Sequence, residues 1–415
     1  MATSERQVCI SRLMFLGALA AALADGGGSW PQFHGPSRDN MSTETGLLKE
    51  WPPEGPPLLW KFGECGKGYS GVAIADGMIF TAGDFADKEF VLALDLNGKL
   101  LWKAENGRSW RGAQPGARTT PTYDNGVLYH MGPTGRLAAL EARTGKELWA
   151  VDLKKEYDAR YGTWALSENL LVDGQAVLCV PGGSKGRVVA LNKTTGALLW
   201  ANTEIAEQAA YCSPILVEHK GVRQLITLMH KSVVAVDVKT GKLLWSHGHP
   251  APYGQNVDRP LYKDGYVLVS AGHNTGSRLL QINDANDGVR EVWFTKEMDN
   301  CHGGIALLDG YLYGSGCRLF HKGLHCIEFL TGKKAHTAVE VGKVSLTWAE
   351  GLLYCVDQER KVFLVQPSPQ GSRIISRFEL PKVSRDLVLC HPVVCGKRLY
   401  LRHDQNLYCY DIAAK

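Results

Sequence analysis

The chain has 415 residues, 45% of them hydrophobic and 21% charged, with a formal net charge of +4. That near-balance, with no block of like charge, supplies no electrostatic footprint for nucleic acid and no bias toward acidic or basic partners. The length suits two or three ordinary domains or one closed all-β array, and 46 glycines suit a chain with many tight turns.

Residues 1–24 read as a secretory signal. Arg6 and Arg12 make a positive start, residues 13–23 an apolar run too short to span a bilayer comfortably, and Ala22-Leu23-Ala24 a small-residue cleavage site before Asp25. No cysteine follows the run, so no lipid acceptor is expected, and no transmembrane segment remains after cleavage. Cleavage also removes Cys9. The other ten cysteines have no regular spacing and form no C-x-x-C pair. Export permits disulfides, yet Cys179, Cys355 and Cys409 sit inside apolar runs and read as buried thiols behaving as small hydrophobes. Residues 25–56 are a Pro-, Gly- and Trp-rich lead-in, W-P-Q-F-H-G-P-S-R-D-N and later W-P-P-E-G-P-P. It lacks strand or helix periodicity and is expected to pack on the outside of the repeats that succeed it.

From residue 57 to 415 the chain repeats itself. Residues 91–102 read V-L-A-L-D-L-N-G-K-L-L-W, 137–149 L-A-A-L-E-A-R-T-G-K-E-L-W, 188–200 V-V-A-L-N-K-T-T-G-A-L-L-W and 233–245 V-V-A-V-D-V-K-T-G-K-L-L-W. A period of about 40 to 50 residues signals a repeat architecture. Each unit opens with two short apolar runs split by a turn dipeptide: Asp76-Gly77, Asn125-Gly126, Asp173-Gly174, Asp264-Gly265, Asp309-Gly310, Glu350-Gly351 and Cys395-Gly396. Asn-Gly and Asp-Gly between apolar runs predict a type I′ hairpin. The T-G-K turn predicts a second, so each unit is four antiparallel strands, one propeller blade. The later copies decay. Trp293 is preceded by one extra residue, His336 and Ile375 stand where tryptophan is expected, and the last copy stops at D-I-A-A-K. The missing strand is residues 57–62, P-L-L-W-K-F, an orphan with its Trp60. Pairing it with residues 407–412 closes an all-β ring of eight four-stranded blades and removes the open sheet edges.

The motif A-L-D-x-x-T-G-K-x-x-W resembles the tryptophan-docking repeat of PQQ-like, quinoprotein-type β-propellers, and the W-P-x-F-x-G-P-x-R-D lead-in is similar to secreted, BamB-like members of that family. The competing WD40 propeller is disfavoured because no copy has Asp after Trp. Trp60, Trp102, Trp149, Trp200, Trp245 and Trp293 are assigned to packing between blades, with the indole N–H finding a partner. The copies without Trp predict weaker joints after the sixth and seventh blades.

Fold does not give function, so the loops between copies carry the question. Blade connections and second-to-third-strand loops share one end of a propeller. They gather Arg108, Trp110, Arg111, Arg118, Arg160, Tyr161, Trp164, Asn256, Asp258, Arg259, His302, Arg385 and His391, together with Arg318 and several further histidines. Arginine beside aromatic rings suits a planar or anionic ligand or a protein anchor. The same groups would equally serve to plug a wide ring. No catalytic residue is assigned, and no metal ligand. A transition-metal site would need His230, His273, His302, His391 and His403 to converge. The resemblance implies two readings. One is a non-enzymatic, monomeric, periplasmic or secreted binding or scaffold protein, BamB-like, with a protein or small envelope ligand at the channel mouth. The other is a periplasmic dehydrogenase of alcohols or sugars using PQQ and Ca²⁺. That enzyme needs a dense set of Glu, Asn and Asp oxygens, for which Asp258, Asn256 and Asp84 are the only recruits, and its frequent adjacent cysteine pair is absent. The first reading is preferred.

Overall fold

The computed structural model describes residues 28–317 and 321–415; the signal-like segment 1–24 and Arg318 lie outside them. Eight antiparallel sheets succeed one another around a ring. The first blade runs Ala73–Ala75, Met78–Phe85, Lys88–Asp95 and Leu100–Arg108, and each later blade repeats that order from the innermost strand outward. The eighth is composite: Val393–Cys395, Arg398–His403 and Asn406–Asp411 come from the end of the chain, and Leu58–Phe62 completes it by pairing antiparallel with Asn406–Asp411. Ring closure by the two ends is as the sequence predicts. Among the described residues there is one α-helix, Leu153–Tyr157, in the connection between the second and third blades, capped by Asp152. Among the described residues no helix is long and apolar enough to cross a membrane.

Most first hairpins obey the turn chemistry. Asp309 and Gly310, for example, take φ of 47° and 82°, the double positive φ of a type I′ turn. Two of the predicted dipeptides are displaced by one residue. Asp173 and Cys395 belong to strands, and the turns are Gly174-Gln175 and Gly396-Lys397. In the latter, both residues are left-handed, so glycine takes the first position and lysine the second.

The hydrophobic core is divided into eight clusters, one in each joint between neighbouring blades. The repeated motif explains these joints. Trp200 Nε1 donates to Val238 O in the next blade (2.9 Å), and its ring lies on Gly241 in that blade's T-G-K turn. A Cβ at Gly241 would sit 2.3 Å from the ring. Trp60, Trp102, Trp149 and Trp293 each repeat both contacts on the next blade. The glycine is therefore fixed twice, by its positive φ and by its neighbour's indole. Trp245 differs: its N–H goes to Gln224 Oε1 (2.9 Å), and the Gln224 amide bridges to Asn286 of the fifth blade (2.6 Å).

The two joints lacking tryptophan are filled by other means. His336 Nε2 pairs with Ser368 O at 2.7 Å, copying the indole's bond. At the last joint Trp51 enters from the lead-in, packs against Tyr354 and Phe378, and joins a cluster with Tyr408 and Tyr410 of the eighth blade.

The lead-in does not simply coat the outside; this expectation is corrected. Residues 30–42 run along the innermost strands. Trp30 bridges Ile74 of the first blade, Pro31 O accepts from Tyr123 N–H of the second, and Arg38 donates to the carbonyls of Asn169 and Leu170 beside the third. Met41–Ser42 adds a parallel fifth strand inside the seventh blade, on Val344–Ala349. His34, Arg38, Asn40 and Ser42 are buried. Backbone polar groups of inner strands need partners, and a segment rich in turns and polar side chains supplies them where another blade cannot fit.

Two glycines separate backbone strain from ring contact. Gly241→Ala should destabilise by about 2 kcal/mol or more, from left-handed strain plus overpacking. Gly221→Ala, also at positive φ but with nothing within 4 Å, should cost only about 1 kcal/mol. Equal urea-unfolding shifts for the two would show that the indole contact adds nothing.

Candidate functional site

The inner wall of the ring leaves a cavity of about 440 Å³ at the mouth. All eight blade connections contribute to its lining, for instance through Tyr69, Arg118, Trp164, Tyr211, Asp258 and His391, and three second-to-third-strand loops add His273, Cys317 and Gln358. Trp30, Phe33 and His34 of the lead-in form part of it. The site thus combines the loops predicted from the repeat with a floor drawn from the N-terminal segment.

The floor is held by a chain of imidazoles. Arg259 Nε donates to His34 Nδ1 (2.7 Å), His34 Nε2 faces His391 Nδ1 (3.2 Å), and His391 Nε2 donates to His302 O (2.8 Å). This pattern suits neutral rings. Burial, then the neighbouring His391 and Arg259, hold His34 well below the usual histidine range. Burial brings His391 down to about 4. His302, also depressed mainly by burial, meets Gln358 Nε2 at 2.8 Å.

Of the residues gathered from the sequence, Arg118, Trp164, Asp258, Arg259, His302 and His391 share the cavity. Arg118 ties two connections together by donating to Trp164 O and Gln114 O. Burial lowers it to about 10. Arg108, Trp110 and Arg111 line a separate outer depression, with Tyr161 edge-on to Trp110 (5.9 Å). Arg160 is exposed and paired with Asp158 (3.1 Å), and Arg385 is exposed. Asn256 is fully buried and spends its amide on Met229 O and His249 O, so it holds its loop in place. The cavity wall also carries polar atoms without a hydrogen-bond partner among the described residues: Arg259 Nη2, Asp258 Oδ2 and His302 Nδ1. Buried polar atoms are ordinarily paired, so these are candidate ligand contacts.

A calcium-quinone centre does not fit this donor set. Among the described residues Asp258 is the only carboxylate lining the cavity, and burial raises it to about 7. Neither Asn256 nor Asp84 lines the cavity, and Asp84 accepts the Trp110 N–H (3.0 Å). Calcium takes six to eight oxygen ligands.

A second arrangement on the same wall was not read from the sequence. His273, Cys301 and Cys317 place one donor atom each within 4.8 Å of one another, the only such histidine, cysteine or carboxylate group among the described residues. His230, His302, His391 and His403 are not part of it. All ten described cysteines are free, and Cys317 alone is not fully buried. The Cys301 hydrogen bond, then Lys343 and the His273 backbone N–H, hold Cys317 below the ordinary thiol range. A signal was available: Cys301 and Cys317 stand in C-H-G-G and G-S-G-C-R loops, unlike the cysteines inside apolar runs.

The profile of the family described as "Outer membrane protein assembly factor BamB" matches residues 86–338, more than half of the chain. The chain belongs to this family. BamB of Salmonella typhimurium is 27% identical over 221 residues, covering 50% of this chain and 49% of that protein. The quinoprotein alcohol dehydrogenase PedH of Pseudomonas putida is 29% identical over 161 residues, 37% of this chain and 26% of the enzyme. The chain thus spans half or less of these curated relatives. Among solved structures, BamB from Moraxella catarrhalis superposes with a TM-score of 0.58 at 17% identity, covering 83% of this chain and 94% of that one. A europium-containing methanol dehydrogenase gives 0.63 at 14%, covering 90% and 89%. At such identities the likeness carries the PQQ-like fold, shared by the BamB family and the dehydrogenases alike.

Glu168, between cavity-lining Ser167 and Asn169, gives a pH test. Burial raises it from 4.5 to about 8, and its carboxylate accepts the Val180 N–H. Below about pH 4.5 both folded and unfolded chains hold the proton. From there to about 8 only the folded chain does, so this group makes stability fall as pH rises. Glu168→Gln should therefore gain stability relative to the parent between pH 4.5 and 8, and the difference should level off above. Urea unfolding at pH 5 and pH 8 checks this.

Proposed function

We propose that this BamB-family propeller is an exported, non-enzymatic binding or scaffold protein of the cell envelope, and that its mouth cavity receives a side chain of a protein partner or a small ligand. Its kinship with an outer-membrane assembly factor supports the envelope setting. The observation that carries the binding reading is the cavity wall. Tyr69, Trp164 and Tyr211 line it together with Arg259, Asp258 and His302, each of which has an unpartnered polar atom. Apolar lining with a few convergent polar groups is the make-up of a binding site, and an aromatic or arginine anchor from a partner would match it. The dehydrogenase reading has weaker support, because hard oxygen ligands are sparse where the ion would sit.

Two measurements test the choice. Affinity capture from envelope extract should retain a specific partner with the parent protein and with Arg160→Ala, and lose it with Trp164→Ala. Equal capture by all three would place binding elsewhere. Dye reduction with alcohols or sugars after addition of PQQ and Ca²⁺ to the purified protein would overturn the non-enzymatic reading.

A further inference from the structure

We propose that His273, Cys301 and Cys317 form a three-ligand site for a thiophilic transition-metal ion, with Zn²⁺ as its probe, whose fourth position opens onto the mouth cavity. Three elements deliver the donors. His273 sits in the tight loop between Tyr266–Ala271 and Gly276–Ile282, with His273 and Asn274 both left-handed (φ 59° and 62°). Cys301 lies in the connection to the sixth blade, and Cys317 just beyond Tyr311–Ser315. Their donor atoms lie within 4.8 Å of one another. Around a tetrahedral zinc with bonds of about 2.3 Å to sulfur and about 2.0 Å to nitrogen, the ligand atoms stand about 3.5 to 3.8 Å apart. Closing the difference needs side-chain adjustment of about an ångström and no refolding.

The surroundings are built as a metal's outer contacts are. The buried Asp299 carboxylate accepts the Cys317 N–H (2.9 Å) on one oxygen and the Asn274 N–H (2.8 Å) on the other. It thereby locks together the two loops that carry His273 and Cys317, from within the loop that carries Cys301. Asn300 adds bonds to Gly304 O and Ser315 O. Gln255 Oε1 contacts His273 Nε2 and orients the ring. Such outer-shell bonds fix ligand orientation. Lys343 Nζ lies 3.6 Å from Cys317 Sγ. An ammonium beside a bare dication would be repelled, but two thiolates cancel a divalent charge, so the lysine faces a neutral centre and donates to a metal-bound sulfur. Two sulfurs and one imidazole favour soft or borderline ions over calcium or magnesium. All three residues line the cavity, which leaves the fourth position to water or to whatever enters the mouth, whereas a purely structural zinc site is closed by a fourth protein ligand. This inference stands independently of the partner-binding reading.

The test is titration of the reduced, full-length exported protein with Co²⁺ and Zn²⁺. One Co²⁺ per chain should bind with a thiolate-to-metal charge-transfer band and be displaced by Zn²⁺. Cys317→Ser and His273→Gln should each weaken binding by about 100-fold or more. Gln255→Ala, which removes only an orienting contact, should weaken it by about 10- to 100-fold. Cys179→Ser, buried in the third blade, should leave it unchanged. In the unaltered protein, Zn²⁺ should protect Cys317 from alkylation, read by peptide mass spectrometry, so that the proposal does not depend on variants that fold. Absence of the charge-transfer band, Cys317 labelling unaffected by Zn²⁺, or parent affinity in Cys317→Ser would overturn it.

Discussion

The structure depends on one contact made again and again: an indole from one blade lying flat on the glycine of its neighbour's turn. Each blade alone is a four-stranded sheet with two apolar faces and no means of burying either. Stacking blades around a circle buries both, but adjacent twisted sheets diverge toward the rim, and something wide and flat must fill the wedge. Tryptophan does so. Its N–H, which would otherwise be buried unpaired, finds a carbonyl in the same neighbouring turn, as Trp102 does with Ala142 O. The glycine at that turn admits both the left-handed backbone and the ring.

Because this dock is local in sequence terms, the fold is legible in the chain itself. A strand pair, a T-G-K turn and a tryptophan recur at a readable spacing, and blade number comes from counting. The exceptions are legible only as gaps. That His336 supplies the same hydrogen bond as the missing indole accords with its imidazole N–H, but no local pattern announces Trp51 as the filler of the last joint, since it lies more than 300 residues from Phe378. The lead-in's course along the inner strands is hidden for the same reason. Its polar and turn-forming residues lack periodicity, and their partners are inner-strand backbone groups contributed by blades spread across the whole chain.

The mouth was partly legible. Knowing which loops share one end of a propeller was enough to gather Arg118, Trp164, Asp258, Arg259, His302 and His391. It was not enough to separate them from Arg160 and Arg385, because whether a loop residue leans into the channel or out to solvent depends on each loop's path. Arg160, for instance, is drawn away by Asp158. Cys301 and Cys317 went unassigned because counting and spacing find only metal sites whose ligands lie close in sequence, whereas here adjacent blades bring the donors together.

The composite eighth blade has a consequence for the order of events during synthesis. Leu58–Phe62 leaves the ribosome long before its strand partner Asn406–Asp411. Residues 30–42 must lie within the ring before it shuts, with Met41–Ser42 waiting for Val344–Ala349. Nascent blades can dock in succession, but the ring is not closed until Asn406–Asp411 emerges. Losing Asn406–Asp411 would therefore cost more than one strand: Leu58–Phe62 would have no sheet to join, and the eighth blade would be left with two strands.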